Sequence, residues 1–367
     1  MAFATIGTKG IEDAAIATAD IADNAVTSAK TSGIPARPNA LPIIINGDCS
    51  VSQRGTAFAD ESTSGVYRVD RMNVGLSSIG EFKLSQETLT SGNAFANGFT
   101  KAFRIDCAIA DASPAAADIA NMTYKMEGNT VQAFKKGTAN AEKATLSFWV
   151  RCSKTGTAQV NLIDTDNSRT VSGTYTVSSA NTWEQKIINF PADTTGALDN
   201  DSNKSLELEW ALDAGSDFTS GSVQTSWGTS SNVNRSVNDF AIQDNTSNDW
   251  AITGIQLEVG EYSASNIPPF QHESYGDNLQ RCFRYYYEMI SNDMTYSKSR
   301  ESDRHRNATI EYPTRMRATP TITVASDPSG FTPTWGATSP ERSTMTGTAP
   351  SDGYTSVSGM IKASAEL

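Results

Sequence analysis

The sequence predicts a mainly β chain: an N-terminal repeat stalk, an antiparallel two-sheet sandwich, and a small C-terminal β-rich domain. Three observations predict it. Within the first forty residues an aliphatic side chain recurs at every fifth position. The middle of the chain is written in short runs of alternating apolar and polar residues. Proline clusters mark the borders, giving segments 1–40, 41–267 and 268–367.

The stalk comes first. Ile6, Ile11, Ile16, Ile21 and Val26 are spaced by five, and the segment divides into the ten-residue units IEDAAIATAD and IADNAVTSAK. That spacing fits neither a 3.6-residue helical period nor a 3.5-residue heptad. One apolar residue in five cannot cover itself within a single chain, so these five aliphatics are expected to face a shared axis in an oligomer. The alternative is a disordered Ala/Thr/Asp leader. Pro35 and Pro38 with Gly33 then break the pattern.

The sandwich follows. In the run 206–212 the even positions Leu206, Leu208, Trp210 and Leu212 are apolar, while Glu207 and Glu209 should face away. Leu146, Phe148 and Val150 alternate with Ser147, Trp149 and Arg151; Ala251, Thr253, Ile255, Leu257 and Val259 alternate with Ile252, Gly254, Gln256 and Glu258. Several such strands without a convincing long helix indicate an antiparallel sandwich. After Pro268-Pro269 a helical turn capped near Asp277 is expected, then an aromatic strand from Tyr285; Pro313 and Pro320 confine later strands to edges or starts.

Composition narrows the function. The 367 residues carry a net charge of -12, which argues against a phosphate-binding surface and hence against nucleic acid. No apolar run is long enough to span a bilayer, and the N-terminus lacks the basic-then-apolar pattern of an ordinary secretory signal. Four scattered cysteines form no C-x-x-C pair and read as reduced, buried hydrophobes. The two histidines, His272 and His305, sit in no nucleophile context, and no G-x-S-x-G, phosphate loop or dinucleotide fingerprint occurs. No cofactor is expected.

Two groups of segments carry a family resemblance. Ile45-Asn46-Gly47-Asp48-Cys49-Ser50-Val51-Ser52-Gln53-Arg54-Gly55 and Tyr67-Arg68-Val69-Asp70-Arg71-Met72 resemble the opening of a jelly-roll domain found in tail-fibre and appendage proteins of tailed bacteriophages. Ile252-Thr253-Gly254-Ile255-Gln256-Leu257-Glu258-Val259-Gly260, then Pro269 to Gly276 and Gln280 to Tyr286, are similar to its closing strand and exit segment. Pro313 to Pro320, Ala365-Glu366-Leu367 and the leader repeats also resemble such proteins; Ser52 departs from an aromatic often found there. The resemblance implies a homotrimeric virion protein, assembled in the host cytoplasm, with a docking segment meeting other tail or capsid proteins and a jelly-roll body. Its distal part would meet a bacterial surface glycan.

Sugar recognition uses aromatic faces with planar polar groups around them. Trp210 reads as core and Trp183 as packing, whereas Trp149 lies on the polar face of its strand. Trp227, Trp335 and Tyr354 lie among Ser, Thr, Gln, Asp and Gly, and are the glycan candidates, against burial at a subunit contact. Asp199-Asn200-Asp201-Ser202-Asn203 and Asp164-Thr165-Asp166-Asn167-Ser168 have calcium-like oxygen spacing, but the first lacks the glycine and terminal Glu such loops require; both read as solvated turns, with no metal. The expected function is non-enzymatic adhesion by a virion appendage. A fibre-borne depolymerase and a purely architectural adaptor remain the alternatives.

Overall fold

The computed structural model describes residues 41–291, 296–299, 304–329, 332–348 and 352–367. The ladder Ile6, Ile11, Ile16, Ile21 and Val26 lies outside the described residues. Pro42–Glu261 together with Gln271–Leu367 forms one compact unit. Tyr262–Phe270 falls outside that unit and contains a turn in which Ile267 N donates to Ser263 O at 2.9 Å.

In chain order the body strands are β1 (Ala57–Glu61), β2 (Val66–Tyr67), β3 (Asn73–Ser77), β4 (Glu81–Thr88), β5 (Lys101–Ile109) and β6 (Ile119–Glu127). Next come β7 (Ala144–Cys152), β8 (Gly156–Asp164), β9 (Arg169–Val177), β10 (Glu184–Phe190), β11 (Lys204–Ala214), β12 (Gly228–Thr229) and β13 (Asp249–Val259). They form two antiparallel sheets, ordered β1-β4-β5-β13-β7-β10 and β12-β9-β8-β11-β6-β3-β2. Late strands sit between early ones, β13 between β5 and β7 and β11 between β8 and β6, which is the wrapped order of a jelly roll.

The alternating runs deliver their apolar sides to the space between the sheets. Phe148 meets Trp210 and Tyr175 edge-on at centroid distances of 5.6 and 5.1 Å, and Trp250 Nε1 donates to Tyr175 OH at 3.2 Å. Leu206, Leu208, Trp210 and Leu212 all join this core, as their spacing predicts. Burying a side chain of this size contributes about 1.5–3 kcal/mol.

Two expectations about strand faces need correction. β11 is buried on both sides, because the segment before β13 covers its polar face: Glu209 is 1% exposed and accepts from Asn161 Nδ2 at 2.9 Å and Arg235 Nε at 3.1 Å. In β13 the alternation changes phase. Trp250 and Ile252 point into the core, then a bulge between Thr253 and Gln256 flips the parity so that Ile255 and Leu257 point inward. Gly254 makes this possible at φ +60, a conformation side chains resist.

The C-terminal strands are β14 (Tyr286–Ser291), β15 (Tyr296–Ser299), β16 (Arg304–Glu311), β17 (Thr321–Ser329), β18 (Thr332–Thr338), β19 (Arg342–Thr348) and β20 (Gly353–Ser364). β20 pairs with β14, β15 and β17, and β19 pairs with β16 and β18. β16 ends before Pro313 and β17 begins after Pro320; the prolines inside strands, Pro328 and Pro333, fall on β17 and β18, each paired with a single neighbour.

The segments that carry the resemblance converge on one joint. Asn46 Nδ2 donates to Val51 O and Asp70 O at 2.9 and 2.8 Å, and Asn46 N donates to Asn278 Oδ1 at 3.0 Å. Asn278 belongs to the helix Tyr275–Cys282, whose N-cap is Ser274, three residues before Asp277. Gly47 packs where an added Cβ would stand 2.2 Å from Ile255 O. Beside it Arg71, 1% exposed, stacks 3.5 Å from the Tyr285 ring centre and reaches Glu366 at 2.8 Å, while Arg54 reaches Glu366 at 3.0 Å. Glu127, fully buried, accepts from Arg284 Nε at 2.7 Å and Tyr285 OH at 2.6 Å. Removing one member of such a pair would strand its buried partner. All four cysteines are buried and free.

Candidate functional site

A cleft of about 310 Å³ opens on the outer side of the β4–β7–β10 sheet. Three pieces of chain line it: the end of β4 with the connection after it (Glu87 to Asn93), Arg151 of β7, and Asn181-Thr182-Trp183 leading into β10. Arg151 faces outward because Val150 and Cys152 take the core side of β7.

Backbone geometry shapes both rims. Gly92 at φ +90 turns the chain into the short helix Gly92–Ala96, and a Cβ there would press on Trp183 Cδ1 at 3.4 Å. Asn181 takes φ 57, a left-handed conformation that Asn tolerates better than most residues. Asn93 Nδ2 donates to Trp183 O at 3.2 Å and ties the rims together.

The charged wall is pre-paired. Arg151 grips both oxygens of Glu87 at 2.7 and 2.9 Å and reaches Asp249 Oδ2 at 3.0 Å. Asp249 also meets Arg104 at 3.0 Å, and Arg104 meets Asp106 at 2.6 Å. Burial pulls the Arg151 guanidinium down, but its bonds to Glu87 and Asp249 outweigh this and hold it above its ordinary value. Burial raises Asp106, partly offset by Arg104. The Arg151 guanidinium also lies 5.3 Å from the centre of the Trp183 ring.

Thr182 Oγ1 donates to Ala180 O at 3.2 Å and Thr88 Oγ1 accepts from Lys101, but three other lining groups are uncommitted. Ser91 precedes the short helix without capping it through its side chain, and the exposed side chains of Thr90 and Asn181 make no hydrogen bond among the described residues. Chemically, the cleft offers one largely covered aromatic ring, a fixed carboxylate–guanidinium pair, and hydroxyl and amide groups with spare capacity.

The sequence-derived candidates lie elsewhere. Trp227 is half-buried at a separate hollow of about 20 Å³, where its Nε1 donates to Pro191 O at 2.8 Å and Lys136 Nζ sits 4.7 Å over its ring. Trp335 lies within β18 opposite Met345 rather than in a loop, and Tyr354 lies within β20 opposite Lys298; their side chains lie outside the described ones. Trp149 is half-buried beside Phe99, with ring centres 6.5 Å apart. The calcium-like turns spend their oxygens internally: Asp164 accepts from Lys136 Nζ at 2.5 Å, and Asn203 N donates to Asp201 Oδ1 at 2.8 Å. The sequence reading of Trp183 as packing holds, at 5% exposure; what it did not show is that this packed ring also lines the cleft wall. The signal was present in the polar Asn181-Thr182 immediately before it.

No family model and no curated protein matches this sequence. Solved structures give distant likenesses. The enzymatically active domain of bacteriophage CBA120 tailspike protein 4 aligns over 59% of this chain at 12% identity and a TM-score of 0.28, and this chain spans only 21% of that one. A family 11 carbohydrate-binding module from Clostridium thermocellum, solved with a mixed-linked tetrasaccharide, aligns over 57% of this chain and 99% of its own at 9% identity and a TM-score of 0.28. A xylan-binding domain from Paenibacillus barcinonensis aligns over 58% and 100%, at 8% identity and a TM-score of 0.24.

Proposed function

We propose that this chain is a glycan-binding, non-enzymatic subunit of a tailed-phage appendage. It works as a homotrimer on the virion, joined to other virion proteins through its N-terminal segment, and it contacts the bacterial surface. The observation that carries the glycan reading is the cleft: Trp183 stands among Glu87, Arg151, Asn93, Asn181 and the hydroxyls of Thr90 and Ser91. Sugar rings present apolar C–H faces and dense hydroxyls, and such a lining complements both. The virion assignment draws on the ordered resemblance of several sequence segments and on the five-residue ladder. Three linked copies would give useful avidity from weak single sites.

Binding is favoured over cleavage by the carboxylate inventory. Glycoside hydrolysis ordinarily needs two carboxyl groups roughly 5 to 9.5 Å apart across the scissile bond. Among the described residues the cleft lining supplies Glu87, and Arg151 already holds both its oxygens. The test incubates the purified full chain with surface polysaccharide from a susceptible host, scoring retention and new reducing ends. The expected result is retention without shortening. Reproducible shortening would replace this reading by the depolymerase, and absence of retention would leave the architectural adaptor.

A further inference from the structure

We infer that the cleft selects uncharged glycans and rejects acidic ones, with Glu87 as the specificity-determining residue and Arg151 as the residue that positions it. The inference rests on the glycan-binding reading of this cleft and follows from how its charges are spent.

Arg151 is the cationic group in the cleft lining, and its charge is already matched by carboxylates. Its bonds run to Glu87 at 2.7 and 2.9 Å and to Asp249 at 3.0 Å. Both members of the Glu87 pair are largely withdrawn from water, with 15% of the Arg151 side chain and 22% of the Glu87 side chain exposed. The bonds of Arg151 take three of its five N–H donors, so a uronate carboxylate on the donors that remain would sit beside Glu87 and Asp249 and meet like-charge repulsion, and a two-point grip on the guanidinium would require displacing Glu87. Glu87, once displaced, would be a partly buried carboxylate without its partner, whereas Asp249 would keep Arg104 at 3.0 Å; the loss at Glu87 costs more than an exposed new pair returns.

The surrounding network does not change the sign. Glu87, Asp249 and Asp106 face Arg151 and Arg104 across the same sheet. Lys101 is tied to the lining through its Nζ, which donates to Thr88 Oγ1 at 2.8 Å on the exposed rim, and it offsets the remaining negative charge. The assembly is thus close to neutral, and a neutral ligand enters without an electrostatic penalty.

Glu87 still has work to do. Arg151 takes one contact on each of its oxygens, and a carboxylate has further acceptor capacity on both. Neighbouring sugar hydroxyls can donate to it, while Asn181, Thr90 and Ser91 complete the polar contacts and Trp183 forms the apolar wall.

The experiment titrates the full chain with two neutral polysaccharides, galactan and mixed-linked β-glucan, and two acidic ones, polygalacturonate and alginate. Calorimetry is run at 50 and 300 mM salt, with melting temperatures recorded for each variant. Wild type should bind at least one neutral polymer with little salt dependence and bind the acidic ones at least tenfold more weakly. Glu87→Gln should lose about tenfold on the neutral polymer. It should also gain salt-sensitive binding of an acidic polymer, because Arg151 is then only partly neutralised; a merely structural role for Glu87 would produce no such gain. Asn181→Gly, on the exposed rim, should lose several-fold on the neutral polymer and gain nothing on the acidic ones. Preference of the wild type for uronate polymers, or unchanged discrimination in folded Glu87→Gln, overturns the inference while leaving glycan binding intact. Failure of wild type to bind any of the polymers or the host polysaccharide overturns both.

Discussion

Asp213 is 3% exposed, and its Oδ2 accepts from Gln243 N at 2.9 Å. Burial, followed by the nearby charges of Asp239 and Asp244, pushes its carboxyl up from 3.8 to about 7, with Lys154 pulling the other way. Because the folded value is raised, the folded chain prefers Asp213 protonated. Its stabilising contribution is complete below pH 3.8 and is lost as the pH rises through about 7. Asp213→Asn keeps an acceptor for Gln243 and removes the charge. The variant should therefore be more stable than wild type by about 1–3 kcal/mol at pH 8 and nearly equal to it at pH 4. Urea unfolding at both values measures this, and a variant that is less stable at pH 8 contradicts it. Asp70, raised to about 6 mainly by burial, acts in the same direction in both proteins and cancels in the comparison.

Single strands show which patterns can be read from residues alone. The alternation 206–212 predicts the inward face of β11 correctly, but the cover over Glu209 comes from residues more than twenty positions later, including Arg235, and no local period reports it. The run 251–259 reads as uninterrupted alternation, yet Gly254 inserts a bulge and exchanges the faces. A glycine within a strand pattern is the local sign of such a bulge. At Gly254 an added Cβ would stand 2.7 Å from Phe99 Cζ and 3.0 Å from Trp149 Cδ1, in a left-handed backbone. Gly254→Ala should lower unfolding free energy by about 2–4 kcal/mol, combining backbone and overpacking costs. Chemical denaturation reads this directly, and a loss below about 0.5 kcal/mol would mean that the bulge relaxes easily. The helix after the proline pair was legible as well, because Ser274 and Asp277 have capping spacing, although the cap is Ser274 itself.

At the level of the whole molecule, the mainly β architecture was legible because period-2 runs and turn residues are local properties. The segments carrying the family resemblance proved to be the joint built around Asn46, Asn278 and Arg71, so what they announced was scaffold. The cleft was not legible: Glu87, Arg151 and Trp183 are far apart in sequence and meet only through strand pairing. The five-residue ladder yields a prediction of its own. Native mass measurement should find three copies per assembly for the full chain, and removal of residues 1–33 should shift the mass toward a single copy and abolish incorporation into particles. A monomeric full chain, or normal incorporation of the truncated one, would refute the proposed docking role.

The tail of β20 carries a mechanical implication. Ala365 N donates to Tyr285 O at 2.8 Å, Arg317 donates to Ala365 O and Glu366 O at 2.8 and 3.0 Å, and Glu366 is gripped by Arg54 and Arg71 at 3.0 and 2.8 Å. These attachments start from separate stretches of chain and end on two consecutive residues. Tension arriving along β20 is therefore shared in parallel: Tyr285 and Arg317 brace its end within the C-terminal segment, and Arg54 and Arg71 make it fast to the jelly roll, much as a rope is secured around several cleats.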